Sequence, residues 1–198
     1  MKNNRPTVIL FLLLLVVSVL WRFIPNMPYG LAPQVSMALI GGAVIRDKKW
    51  AFVLPVLSLF ISDLIFHILH ITGFTTKLGF YDGQWGIYLA FVLVTCFGFL
   101  MKRVNTLNVV LYSIAASVFF FIVTNFITWQ VYQGFARPHT FEGLMLCYGD
   151  GITFYRDFGL IKGFEGNFIL GDVTWAFILF GLYSLLTRLF TERKPQLA

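Results

Sequence analysis

An acid and two histidines stand inside the otherwise apolar stretch "ISDLIFHILH" (61–70). Asp63 and His67 are four residues apart, so on a helix they share one face, and His70 lies on roughly the same stripe. A carboxylate that faced lipid would cost at least about 2.5 kcal/mol, so we expect Asp63 to face a bundle interior or a water-filled cavity. There it would bind a cationic or hydrogen-bond-donating ligand, and His67 would make that binding sensitive to pH.

The same trio has two other interpretations. Asp63 and His67 could form an interhelical hydrogen bond that only fixes packing, although such bonds contribute about 0.6 kcal/mol on average. An acid one turn before an HxxH pair could also ligate zinc or nickel, but three convergent ligands from one helix are geometrically awkward. We therefore favour ligand binding and predict neither a metal site nor a cofactor.

Composition defines the surroundings of these residues. The chain has 198 residues, room for one domain, with 58% hydrophobic and only 12% charged residues. Soluble domains carry about 25% charged residues, so this chain has too little polar surface for water and must lie in a membrane. The net charge of +6 is spread over short clusters between apolar runs, which indicates membrane topology and argues against a nucleic-acid surface.

Five apolar segments approach or exceed the length of about 20 residues that crosses a bilayer, and a sixth is shorter. They predict six transmembrane helices, at about residues 7–25, 30–45, 49–72, 84–101, 108–131 and 167–190. The connection 132–166 is long and rich in aromatic residues, so we expect a structured outer cap in which 141–148 forms a short helix. The predicted fold class is an all-α, polytopic membrane helical bundle with one domain over 1–198.

Positive charge decides the orientation of this bundle. Lysines and arginines concentrate at 2–5, 46–49, 102–103 and 188–194, and six crossings place these clusters on one side. Cytoplasmic loops carry an excess of such residues, so we expect both termini in the cytoplasm and the cap outside. If the short segment 30–45 did not cross, the cluster at 46–49 would face outwards. The expected location is the bacterial inner (cytoplasmic) membrane, as a multi-pass protein.

The strongest polar side chains of five predicted helices belong to their outer halves, whereas the inner halves are apolar. A channel would need polar lining along its whole length, so this pattern predicts a pocket open to the outside and closed below. The residues expected to bind the ligand there are Asp63, His67, Asn125, Asp172, Gln34, Trp129 and Trp85. For Asp172 a capping role at a helix start is equally open, and the two tryptophans could simply be interface anchors.

Small residues cluster in "SMALIGGAVI" (36–45), at Ala38, Gly41 and Gly42. Such residues let helices approach closely inside a membrane. They could serve tight packing within the chain, or form a docking face for a partner membrane protein.

Five stretches carry a family resemblance, at 22–47, 54–67, 87–100, 119–129 and 169–181. Their order resembles small bacterial membrane proteins of unknown function that look like the S-components, the substrate-binding subunits, of energy-coupling-factor (ECF) vitamin transporters. The "SDL" within the second stretch is similar to the "ADLLG"-type turn of those subunits. The resemblance implies six helices, an outer substrate pocket, and dependence on a membrane coupling subunit and ATPases.

This chain also departs from the ECF pattern. Its first predicted helix, 7–25, is bulky where those subunits often carry a small-residue face, and the loop 149–166 is longer. Both departures bear on how the chain would couple to such a partner.

Known catalytic motifs are missing from the sequence: it holds no GxSxG elbow, HExxH pair, P-loop or dinucleotide-binding glycine pattern. We therefore predict that the protein is not an enzyme, and that it binds a vitamin-like or metal-containing solute for uptake. A structural or accessory subunit of a larger membrane complex is the alternative, and an intramembrane enzyme comes third.

Overall fold

The computed structural model describes residues 5–24, 31–157 and 167–192, which form seven α-helices. They are α1 Arg5–Trp21, α2 Gln34–Val44, α3 Lys48–Ile71, α4 Gln84–Leu100, α5 Thr106–Ala136, α6 Phe141–Asp157 and α7 Asn167–Glu192. The predicted all-α class is confirmed for these residues. Parts of two predicted connections, 25–30 and 158–166, lie outside the described residues.

Prolines set the ends of the first two helices. α1 ends at Trp21 and continues into a turn over 22–24, just before Pro25 in the sequence. α2 begins at Gln34, directly after Pro33. A residue that precedes proline is disfavoured in the helical conformation, so both helices are shorter at these ends than the sequence predicted.

The connection between the fifth and last predicted helices is largely helical. α5 continues to Ala136, which has a left-handed φ of 63°, and α6 follows after a short turn. The predicted short helix at 141–148 is present and extends to Asp157. The predicted outer cap is therefore a helical hairpin between α5 and α6 in its described part.

Consecutive helices alternate in direction, apart from α6. At one end, Arg22 after α1 reaches Asp63, which lies two thirds of the way along α3 and in turn contacts Gln84 at the start of α4. At the opposite end, the Lys48 ammonium lies over Phe99, 5.4 Å from the ring centroid. We call these two ends the Asp63 end and the Lys48 end. The Asp63 end holds the C-terminal ends of α1, α3 and α5 and the starts of α2, α4 and α7.

The short helix α2 lies at the centre of the bundle. Its first nine residues, Gln34–Gly42, are all buried, and it contacts α1, α3, α4, α5 and α7. A helix that is apolar on all sides lies either inside a protein or within a membrane, and the burial of α2 places it inside the bundle. The core therefore forms around α2, with side chains such as Met37, Leu39 and Ile40 at its middle.

Glycines allow α2 and α4 to touch through their backbones. A Cβ atom on Gly42 would lie 2.2 Å from the Thr95 carbonyl oxygen and 2.9 Å from Gly98 Cα. A Cβ atom on Gly98 would lie 2.3 Å from the Leu39 carbonyl oxygen. Neither glycine can carry a side chain unless the two helices separate.

The predicted docking face of small residues is used inside the chain. Ala38, Gly41 and Gly42 are buried, with α4 packed against Gly42 and α3 next to Gly41. The backbone oxygen of Ala51 would lie 3.5 Å from a Cβ on Gly41. These contacts agree with intramolecular packing and leave no room there for a partner protein.

Within the described part of the chain, three helices are long and apolar enough to cross a membrane: Lys48–Ile71, Thr106–Val131 and Phe168–Leu189. Together with the composition, this indicates a membrane protein. The helices Val8–Trp21, Gln34–Val44 and Gln84–Leu100 are apolar but shorter.

Charge is distributed unevenly between the two ends of the bundle. Among the residues whose exposure is described, six cations are exposed at the Lys48 end: Arg46, Lys48, Lys49, Lys102, Arg103 and Arg188. Among the described residues of the Asp63 end, Arg22 and Arg137 are instead paired with Asp63 and Asp150, and Lys77 is exposed.

The Gly42 contact generates a stability prediction. Gly42→Ala should lower the free energy of unfolding by about 1–3 kcal/mol, because the added methyl group overlaps the α4 backbone. Gly181→Ala is the matched control, since no atom lies within 4 Å of its added Cβ and alanine favours the helix by up to about 1 kcal/mol. Unfolding in mixed detergent micelles measures both, and equal stability of the two variants would contradict the packing described.

Candidate functional site

Asp63 is deeply buried, with 1% of its surface exposed, and its partners come from the turn after α1 and from α4. Its Oδ1 lies 2.5 Å from Nη1 of Arg22, and its Oδ2 accepts a hydrogen bond of 2.5 Å from the Tyr88 hydroxyl. Oδ2 also accepts a hydrogen bond from Nε2 of Gln84. The carboxylate is thus neutralised and hydrogen-bonded within the chain, as a buried charge requires.

Arg22 reaches Asp63 because α1 ends one residue earlier. From the following turn its guanidinium also donates to the Ser62 hydroxyl and lies 5.5 Å from the centroid of the Phe66 ring. The neighbouring Phe23 stacks on the same ring, with centroids 4.5 Å apart. The turn after α1 is therefore attached to α3 by an ion pair and by aromatic packing.

Gln84 joins the start of α4 to the loop that precedes it. Its amide nitrogen donates to the Gly79 carbonyl at 3.2 Å, and its amide oxygen accepts from the Tyr81 backbone N–H at 3.1 Å. Gly79 in turn lies directly on α3, since a Cβ there would be 2.1 Å from the Asp63 carbonyl oxygen. Only glycine permits this approach of loop and helix.

A cleft opens above this network. It has a volume of about 480 Å³ and is lined by Phe60, Phe80, Tyr81, Asp82, Gly83, Gln84, Trp85 and Tyr88. We call it the aromatic cleft, because five of these eight residues carry aromatic rings. Gln84 and Tyr88 form part of its lining and also bind Asp63, so the buried carboxylate holds two lining side chains in place.

The two histidines of the predicted trio do not join Asp63. His67 is exposed and packs beside Phe80, with ring centroids 5.6 Å apart. His70 Nδ1 lies 3.2 Å from the Thr75 carbonyl oxygen in the following loop. Among the described residues, no group of three His, Cys, Asp or Glu side chains is placed to hold a metal.

Asp172 belongs to a second polar group, between α7, α5 and α2. It is buried, and its carboxylate accepts a hydrogen bond from the Ser117 hydroxyl of α5. The Ser36 hydroxyl of α2 donates to the Asp172 carbonyl oxygen at 2.6 Å. Asp172 therefore joins three helices, as Asp63 does, on a different side of the central α2.

Asn125 belongs to a third group, where α6 packs against α5. Its side-chain nitrogen donates to the Phe121 carbonyl at 2.9 Å, and a Cβ on Gly151 would lie 2.5 Å from its side-chain oxygen. Trp129, one turn further along α5, donates from Nε1 to the Pro138 carbonyl at 2.9 Å. These two predicted ligand residues hold the α5–α6 hairpin.

Gln34 also has a partner within the chain. Its amide nitrogen donates to the Ser18 carbonyl of α1 at 3.3 Å, at the buried start of α2. Of the seven predicted ligand residues, Trp85 is the one that lines the aromatic cleft.

The structure does not bring the predicted ligand residues into a common pocket. Gly86 of α4 lies against Ile127 of α5, which places Asp63, Gln84 and Asn125 near the same end of the bundle. Their contacts nevertheless fall into separate groups on different helix pairs. The sequence did not point to Arg22 as the basic partner of Asp63. It also did not point to Phe60, Phe80 and Asp82 as residues that line a cleft.

A comparison with protein families matches residues 2–197 to a family of unknown function, DUF6580. The chain belongs to this family. No curated protein and no solved structure matches the chain. The family assignment agrees with the part of the predicted resemblance that concerned proteins of unknown function.

One further contact of this DUF6580 chain stabilises the hairpin. Arg137, after α5, binds both carboxylate oxygens of Asp150 in α6, at 2.9 and 3.0 Å. The guanidinium holds the pKa of Asp150 below its usual range, so the ion pair is intact at neutral pH and is lost as pH falls through that lowered pKa. Beside it, burial raises the pKa of the Cys147 thiol, which is covered by α5.

This ion pair generates a prediction about thiol access. In a Cys96→Ala background, Asp150→Asn should increase the rate at which a maleimide alkylates Cys147, because α6 then separates from α5 more often. Glu142→Gln, which changes an exposed acid in the first turn of the same helix, is the control. Equal alkylation rates in the two variants would show that the ion pair does not hold the hairpin.

Proposed function

We propose that this protein crosses the bacterial inner membrane six times, with both termini in the cytoplasm. The six cations exposed at the Lys48 end support this orientation, because cytoplasmic ends carry an excess of lysine and arginine. The short α2 fits the scheme since other helices surround it, so lipid does not have to match its length. On this orientation the Asp63 end, the aromatic cleft and the α5–α6 hairpin face outwards.

Within this topology, the proposed function is that of a substrate-binding membrane subunit for uptake of a small solute. The aromatic cleft is the single observation that supports it most. Rings provide apolar contact area, Asp82 and the Gln84 amide provide polarity, and hydrogen bonds to Asp63 hold Gln84 and Tyr88 rigid. A concave site with fixed polar groups loses little entropy when it binds a ligand.

Asp63 has a different part in this proposal from the one the sequence suggested. Its oxygens are occupied by Arg22, Gln84 and Tyr88, so it positions the lining of the cleft and does not contact the solute. A vitamin-like solute would lie between Trp85 and the rings opposite. The resemblance to ECF S-components adds the proposal that a membrane coupling subunit and ATPases drive release to the cytoplasm.

A structural or accessory subunit of a larger membrane complex is the second candidate. The polar groups around Asp63, Asp172 and Asn125 all have partners within the chain, which favours a role in assembly of the bundle. For this candidate the aromatic cleft would be dispensable.

The tryptophans of the two ends provide a test. Trp85 in the cleft and Trp50 at the Lys48 end are exposed to similar extents, 61% and 55%. Purified protein in lipid nanodiscs is titrated with a panel of water-soluble vitamins while tryptophan fluorescence is recorded. We expect a binding compound to change the fluorescence of the natural protein and of Trp50→Phe, and the change to disappear in Trp85→Phe.

Two results would contradict the solute-binding proposal. One is a panel without any binding compound, and the other is a fluorescence change that survives in Trp85→Phe. Co-purification of a stable membrane partner that is unaffected by Trp85→Phe would then favour the accessory-subunit candidate.

A further inference from the structure

The chemistry of the aromatic cleft restricts what it can hold. Asp82 is the one charged residue among the eight that line it, and its carboxylate is exposed in the turn before α4. Four of the lining rings are also well exposed: Phe60 (47%), Phe80 (40%), Tyr81 (48%) and Trp85 (61%). The lining therefore combines one negative charge with accessible ring faces.

The two described cations near the cleft lie over a ring that is not part of its lining. Arg22 is paired with Asp63, and its guanidinium lies over Phe66, which does not line the cleft. The Lys77 ammonium lies on the same ring, 5.8 Å from its centroid. These contacts leave Asp82 as the charge that a ligand in the cleft would meet.

We propose that the aromatic cleft binds an organic cation, an amine or quaternary ammonium group, with Asp82 as its counter-ion and the rings as its walls. Ring faces attract cations through their negative quadrupole, and aromatic side chains are typical of sites that recognise quaternary ammonium groups. Phe60 and Phe80 stand at an angle of 48° with centroids 6.0 Å apart, so they form two adjacent walls. This inference rests on the proposed function and specifies its substrate class.

An anionic ligand fits the cleft less well, because the described lining residues include no cation to pair with it. A metal ion would find a single carboxylate, fewer ligands than a protein site normally provides. The cation itself could come from a free solute or from the headgroup of a phospholipid, since the cleft lies at the end of the membrane-spanning helices. The experiment separates these two sources.

Choline is the probe. The matched control ligand is its neutral isostere, an alcohol in which a quaternary carbon replaces the nitrogen of choline. In phosphatidylglycerol nanodiscs, choline should bind about tenfold more tightly than the isostere, because only the cation gains from the rings and the carboxylate. Asp82→Asn should weaken choline binding by about fivefold, as for an exposed ion pair. Glu142→Gln, an exposed acid in α6, should leave it unchanged.

In the second arm of the experiment, phosphatidylcholine replaces phosphatidylglycerol in the nanodiscs. If phosphatidylcholine nanodiscs change the Trp85 fluorescence and free choline does not, the cation is a lipid headgroup and the proposal holds with that source. If the isostere binds as tightly as choline, or if Asp82→Asn behaves like Glu142→Gln, the cation proposal is overturned. Any other solute whose binding depends on Trp85 would then leave the proposed function standing, whereas the complete absence of Trp85-dependent binding would overturn both.

Discussion

An ionised carboxylate buried in an apolar chain needs a counter-charge and hydrogen bonds, and the groups that supply them to Asp63 organise this end of the bundle. The partners of Asp63 come from the turn after α1 and from α4, and the loop before α4 lies on the α3 backbone through Gly79. One acid thus joins three helices and a loop. The aromatic cleft lies where these elements meet, because the side chains of Gln84 and Tyr88 both bind Asp63 and line the cleft.

The other end depends on a different constraint, the close approach of backbones. α2 is surrounded by five helices, and at Gly42 and Gly98 the distance between α2 and α4 leaves no space for a side chain. Packing of small residues replaces hydrophobic burial as the source of association inside a membrane. The bundle therefore has a polar connection near the Asp63 end and a glycine contact towards the Lys48 end.

Much of the fold could be predicted from periodicity, length and charge, since apolar segments and basic clusters are local features. The sequence also indicated that Asp63 and Asn125 lie near the same end. It did not reveal that Asp63, Asn125 and Asp172 would each find separate partners, because contacts such as that between Arg22 and Asp63 join residues far apart in the chain. α1 and α3 run in the same direction, so the similar distance of Arg22 and Asp63 from the starts of these two helices was the signal available in the sequence. The cleft was missed because Phe60, Phe80 and Asp82 come together only through the loop folded on Gly79.

The most direct test of this account is a double-mutant cycle on the ion pair that anchors the Asp63 end. The free energy of unfolding is measured for the natural protein, Arg22→Gln, Asp63→Asn and the double variant in the same detergent mixture. A coupling energy of about 1–3 kcal/mol between the two positions is expected, because each side chain neutralises the other in a buried setting. Strictly additive effects would contradict the account, since Asp63 would then be held by something other than Arg22.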